Sequence, residues 1–255
     1  CSSIGYGSYR IDDQHPIHAL SLEKALKSGC NLIDTSTNYT NGGSERCIGG
    51  LLDRLLKKEM KREDLVVVSK VGYVQGQNLD VVTIREQQER PYKDVVKYMD
   101  GCWHCIDPDF IVDQLEFSLA RTGLKYIDVY LLHNPEYFFS DAVKNHVKTP
   151  LSELRKEFYH RIEKAFSILE TLAVEGKIKH YGVSSNTFGS PEDDPEMTSL
   201  TEMWAAANRV VSNHHFGVIQ LPLNLFESGP VLEKNNDGKS VLEKAQELNL
   251  GVLVN

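Results

Sequence analysis

The chain has 255 residues, 41% of them hydrophobic and 25% charged, which matches an ordinary water-soluble fold that buries a core without staples. A net charge of −8 excludes a broadly basic surface for nucleic acid or acidic membrane. No apolar run approaches the roughly 18–20 residues of a membrane span, so neither kind of partner is predicted.

Strand-like runs rich in Val, Ile, Leu and Tyr occupy 3–9, 31–35, 65–71, 127–133, 178–185, 218–221 and 251–254. They are short and nearly continuous in apolar character, as strands buried on both faces should be. Helical patterns lie between them, at about 17–28, 44–58, 108–122, 153–175, 195–212 and 239–249. Ser44, followed by Glu45 and Arg46, opens the second. Asp107-Pro108 offers the third an N-cap and a proline at its first position, and Gly123 closes it with Arg121 in the last turn.

Strands alternating with helices read as repeated βα units, which form either a doubly wound sheet or a (β/α)₈ barrel. No Gly-rich dinucleotide fingerprint follows the first strand, and no Pro/Gly/Ser linker divides the chain. The pattern therefore predicts one α/β barrel domain over 1–255, seven strands long and lacking its last unit. One segment breaks the rhythm. Residues 72–106 form a long polar insertion after the third strand, eased by a short helix near 92–99.

Reactive side chains of such barrels sit at the C-terminal ends of strands. Asp34 ends the second strand, Tyr39 follows five residues later, Lys70 ends the third and His133 the fourth. A phenol with an ordinary pKa of ~10 is a poor acid at neutral pH. A neighbouring ammonium favours its ionised form, and a carboxylate keeps that ammonium charged and oriented. A histidine beside the pair can donate to a substrate oxygen. The set suits protonation of an oxygen on which negative charge develops.

Cys102 and Cys105 form a C-x-x-C around Trp103 and His104, but a structural zinc site needs a second pair, and none is present. No metal is predicted. Trp103 is read instead as a wall of the substrate pocket. His214-His215 is a metal pair only superficially, since adjacent side chains point apart. Five cysteines, an odd number, make no disulfide framework and suit a reducing, cytoplasmic compartment.

The runs LIDTSTNY and GGSERCIGGLL, VVVSKVG, and SLARTGLKYIDVYLLHNPE resemble the Asp/Tyr, Lys and His motifs of the aldo-keto reductases. The opening IGYGSYR is similar to that family's first strand, and KIKHYGVSSN and VIQLPLNLFE to its fifth and sixth. The resemblance spans the chain apart from 72–106. It implies Tyr39 as general acid, Lys70 and Asp34 as its tuning partners, and His133 as orienter of the carbonyl. It also implies cofactor contacts from Ser8, Asp34, Ser184, Ser185 and Gln220, with Asn186 able to replace Ser185. Tyr9 joins Tyr39, Trp103 and His133 around the substrate, and the family's nicotinamide-stacking aromatic falls near Asn255, which is not aromatic.

The activity so implied is interconversion of a carbonyl compound and its alcohol with a nicotinamide coenzyme, NADP(H) ahead of NAD(H). Two alternatives stay open: a cofactor-sensing regulatory subunit, and an NAD-dependent sugar or polyol dehydrogenase. Because seven strands leave a barrel unclosed, the natural chain is expected to run longer by very roughly 40–80 residues.

Overall fold

A computed structural model describes residues 1–255. Its elements alternate: β1 (Tyr6–Gly7), α1 (Pro16–Lys27), β2 (Leu32–Asp34), α2 (Gly43–Leu55) and β3 (Val66–Val71). The insertion follows, with β4 (Tyr73–Val74), α3 (Gln77–Gln87), β5 (Val96–Met99) and β6 (Cys102–His104). The alternation then resumes through α4 (Pro108–Thr122), β7 (Ile127–His133), α5 (Tyr137–Lys144), α6 (Leu151–Val174) and β8 (Ile178–Ser184). It ends with α7 (Leu200–Val210), β9 (Phe216–Leu221), α8 (Gly229–Leu232), α9 (Val241–Glu247) and β10 (Gly251–Val254). No helix is long and apolar enough to cross a membrane.

Seven strands form one parallel sheet in the order β1-β2-β3-β7-β8-β9-β10. The sheet curls as part of a (β/α)₈ barrel, with β1 and β10 at its edges. Side chains of a strand alternate between faces, and the two faces have different company here. On the concave face Val68, Val129 and Leu131 pack with Val66, Val218 and Leu253. On the convex face a cluster of 45 buried residues joins the sheet to its helices, with Val67, Val71, Tyr130 and Leu132 from the same strands.

The sequence expectation for α4 matches its ends. The Asp107 carboxylate accepts from the Asp109 amide at 3.0 Å, Pro108 begins the helix, and Gly123 ends it in the left-handed region at φ 66°. Arg121, in that last turn, reaches Glu45 of α2 at 2.6 Å. The start of α2 differs from expectation. It is capped by Gly42, and Ser44 lies inside, its hydroxyl bonded to Thr35 and Ser8 at 2.8 Å each.

The insertion is the larger correction. Residues 72–106 are not a long irregular connection but hold α3 and a small antiparallel sheet, β4-β6-β5. The helix expected near 92–99 is absent, and Val96–Met99 is a strand with alternating exposure. Asp100-Gly101 turns it into β6, with Gly101 at φ 75°. An Asp-Gly turn between alternating residues is a hairpin signal, and here it overrides the local helical pattern. Helices α5 and α8 had no counterpart in the sequence reading.

Candidate active site

The period of two decides which residues meet. Starting from Val66 and Val129, whose side chains point inward, the concave row continues to Val68 and Lys70 on β3 and to Leu131 and His133 on β7. Register extends the row: Asp34 is opposite Val68, His133 opposite Ser184, and Ser184 opposite Gln220. The polar members of the row lie at the C-terminal ends of their strands. The polar residues of five strands and the loop after β2 thus crown one apolar interior.

Tyr39 reaches this rim through a short turn after β2, Tyr39–Gly42, in which Thr40 and Asn41 adopt positive φ of 46° and 56°. Two side-chain bonds hold that shape: the Thr40 hydroxyl donates to Ile11 O at 2.7 Å, and Asn41 Oδ1 accepts from the Gln77 amide at 2.9 Å. The insertion therefore helps to place the phenol.

Lys70 is 1% exposed. Its Nζ lies 2.8 Å from both Asp34 carboxylate oxygens, 2.9 Å from Thr35 O and 3.3 Å from the Tyr39 hydroxyl. Burial pushes its pKa down, and Asp34 works against that. Tyr39 moves the other way: burial raises its pKa above 10.0, with the charges of Asp34 and Tyr9 adding to the effect. The expectation that the ammonium would favour a phenolate is not met in this state. Desolvation wins, and Tyr39 holds its proton.

His133 is buried, its Nδ1 3.0 Å from the Ser36 hydroxyl and its ring edge-on to Tyr39 with centroids 6.0 Å apart. Burial first, then the charge of Lys70 and of a protonated His104, keeps its pKa well below 6.5. The ring is neutral at physiological pH.

A cavity of about 510 Å³ opens above these groups. Its chemical end is lined by Asp34, Tyr39 and His133, and its walls by Tyr9, Tyr73, Tyr137 and the amides Asn38, Gln75, Asn134 and Asn186. Asn255 closes one side. No aliphatic side chain faces it. Tyr73, Gln75, Asn134 and Tyr137 were not singled out from sequence. The first two lie just beyond Lys70 and the last two just beyond His133, so strand-end position alone was the available signal.

The other predicted residues divide. Gln220 is 2% exposed and its Oε1 has no partner, and the buried Ser184 is next to it in register. Ser185 turns away, its hydroxyl 3.2 Å from that of Thr187 and 3.1 Å from that of Thr198. Ser8 is buried and committed to Asp34 O at 2.7 Å and to Ser44. Trp103 does not line the cavity. It carries the Lys97 ammonium 4.3 Å above its ring, and Tyr73 and Tyr137 form the wall assigned to it. His214 packs edge-on to Trp204 while His215 bonds Glu170 at 2.6 Å, so the adjacent pair points apart.

The unpartnered Gln220 amide oxygen and the Ser184 hydroxyl are a donor-acceptor set that fits a carboxamide.

A family model of the aldo/keto reductase family matches residues 2–249, and the chain belongs to that family. An NADH-specific methylglyoxal reductase of Escherichia coli (strain K12) is 29% identical over 198 residues, 72% of this chain and 48% of its own length. A putative voltage-gated potassium channel subunit beta of Schizosaccharomyces pombe is 25% identical over 240 residues, 92% of this chain and 59% of its own. An aldo-keto reductase structure from Bacillus halodurans, in its holo form, overlays with a TM-score of 0.61 at 18% identity, covering 99% of this chain and 61% of that one. One from Klebsiella pneumoniae, in complex with NADP and acetate, gives 0.57 at 21% identity, covering 98% and 62%. At these identities the solved structures speak for the fold. The chain spans about half the length of the curated relatives it matches.

Proposed function

We propose that the chain carries the proton-transfer site of an NAD(P)H-dependent reductase that interconverts an aldehyde or ketone and its alcohol. The observation that carries this reading is the meeting of Asp34, Tyr39 and His133 at the floor of one cavity, with Lys70 buried against the first two. When bound, the nicotinamide supplies the hydride.

The chain supplies the rest. Tyr39, kept protonated by burial, delivers its proton to the carbonyl oxygen as negative charge develops there. Lys70, 3.3 Å away, stabilises the phenolate that remains, and Asp34 keeps Lys70 in place. His133 orients the carbonyl. For its Nε2 to donate, Ser36 must give its proton to Nδ1. The same hydroxyl lies 2.7 Å from Asn38 Oδ1, a second acceptor for its proton, so the His133 tautomer is linked to the Ser36–Asn38 contact. Ser184 and Gln220 hold the carboxamide.

The relatives divide over coenzyme: the Escherichia coli protein is NADH-specific, and the Klebsiella pneumoniae structure holds NADP. NADP(H), favoured from the sequence, is therefore assayed beside NAD(H). The test is reduction of methylglyoxal and a panel of aldehydes by the full chain with each coenzyme, and polyol oxidation in reverse. Turnover that disappears in Tyr39→Phe supports the reading. Tight coenzyme binding without turnover on any substrate favours the second one, a cofactor-sensing subunit, which the Schizosaccharomyces pombe relative motivates.

A further inference from the structure

The insertion does more than wall the cavity. β3 leaves the main sheet after Val71, where the last rung of its ladder pairs Val71 with Leu132. The next carbonyl on β7, that of His133, faces the place β3 has vacated and has no strand to bond. An orphaned buried carbonyl is rare in folded proteins. His104, from the end of β6, fills the gap: its Nε2 lies 2.7 Å from His133 O, and both residues are buried.

Several independent features serve this contact. Gly72 leaves room for it, since a Cβ there would lie 2.5 Å from His104 Nε2 and 2.6 Å from His133 O. The Cys105 amide donates to Gly72 O at 2.8 Å and anchors the end of the hairpin. Tyr137 stacks on the His104 ring with centroids 5.7 Å apart and planes 8° from parallel. Tyr73 stands edge-on to both His104 and His133, at 6.0 and 4.7 Å. Directly after His133 the backbone turns through Asn134 at φ 52°, a left-handed conformation that persists only where its surroundings hold it. The Asn134 amide is pinned to Ser184 O at 2.7 Å. The peptide that joins His133 to this turn is thus held at its oxygen by His104 and at its nitrogen by β8.

We propose that His104 is a positioning residue for the active site: its Nε2–H holds the His133 carbonyl and thereby sets the His133 ring over the cavity. The proposal rests on the reading of His133 as the group that orients the carbonyl. A small misplacement of such a group is enough to slow a reaction strongly.

The test compares the full chain with His104→Leu, which keeps the bulk and removes the donor, and His104→Gln, which returns an N–H to the same reach. Steady-state reduction of methylglyoxal, coenzyme dissociation constants and thermal midpoints are measured for all three. His104→Leu is expected to lose about 10- to 100-fold in kcat. Its coenzyme affinity should stay within about threefold, and His104→Gln should recover most of the rate. A His104→Leu protein within about twofold of native kcat overturns the proposal, as does a folded His104→Gln protein that is equally slow.

Where His104→Leu does not fold, imidazole nitrogen NMR of the native protein decides. A slowly exchanging proton on His104 Nε2 supports the proposal, and an Nδ1–H tautomer overturns it. Where the native protein reduces no aldehyde, the functional reading fails separately. His133 ring resonances then decide the proposal: displaced in His104→Leu and restored in His104→Gln if it holds, unmoved in both if it does not.

Discussion

The ammonium of Lys70 is gripped by Asp34, 2.8 Å from each carboxylate oxygen, and it is this pairing that turns a nearly inaccessible lysine towards the Tyr39 hydroxyl. Burial alone would favour a neutral amine, and the adjacent carboxylate opposes it. Lys70→Met should therefore remove the charge that stabilises a Tyr39 phenolate, changing the pH profile of reduction in shape as well as height. Asp34→Asn should have a weaker effect of the same kind, with the alkaline limb moved to lower pH because Lys70 then loses its proton more readily. Profiles of kcat/KM for both variants check this, and two profiles that overlay the native one would remove the basis for the coupling.

Tyr39→Phe deletes the transferable proton and its oxygen and nothing else. The fold and coenzyme affinity should persist while turnover falls by about 10²–10⁴-fold, the usual range for general acid–base help. A rate on a good aldehyde within about threefold of native would show that another group delivers the proton.

Acid should destabilise this protein through two buried imidazoles. Burial lowers the pKa of His104 to about 4 and that of His133 well below 6.5, so both rings are neutral when folded. The unfolded chain takes up protons on them below pH ~6.5, and stability accordingly declines as pH falls from there. Each ring contributes up to about 1.4 kcal/mol per pH unit within that window. The thermal midpoint should drop between about pH 7.5 and about pH 5.5, and the slope should be shallower in His104→Gln. Equal slopes in both proteins would remove His104 from this account.

Gly72→Ala places a methyl group against a ring nitrogen and a main-chain oxygen at 2.5 and 2.6 Å. The oxygen belongs to β7 and cannot move far. Both the thermal midpoint and kcat should fall. A variant with native values would mean that the His104–His133 contact can open at little cost.

Glu45 is fully buried, with Arg121 at 2.6 Å on one oxygen and the Ser69 hydroxyl at 2.7 Å on the other. Arg121→Met would leave a buried carboxylate with one neutral partner, at a cost of about 3–5 kcal/mol. Urea unfolding should register this as a lower midpoint with an unchanged slope. An unshifted midpoint would mean that the pair contributes nothing net to stability.

Much of the fold was legible because its signals are local. Val-, Ile- and Leu-rich runs, the Asp107-Pro108 start and the Gly123 stop are short-range properties of the chain, and they reappear as β3, β7 and α4. Within the insertion, the pairing of β5 with β6 across the Asp100-Gly101 turn replaces the helix expected near 92–99. Trp103 was assigned to the cavity by its place in the chain. Once β5 and β6 pair, its side chain meets Lys97 instead.

The sequence by itself determined the order of the site. Asp34, Lys70 and His133 end successive strands and Tyr39 follows the first of them, and a period of two then obliges the strand residues to share a face. Only the tertiary structure decided how they behave. Register brings Lys70 Nζ to Asp34, and the depth of the site, with the charge of Asp34 adding to it, raises the Tyr39 pKa above its ordinary value. The carbonyl left open by the departure of β3 is met by a histidine 29 residues away in sequence. Desolvation and long-range register depend on everything packed around a group, and no window of sequence contains that.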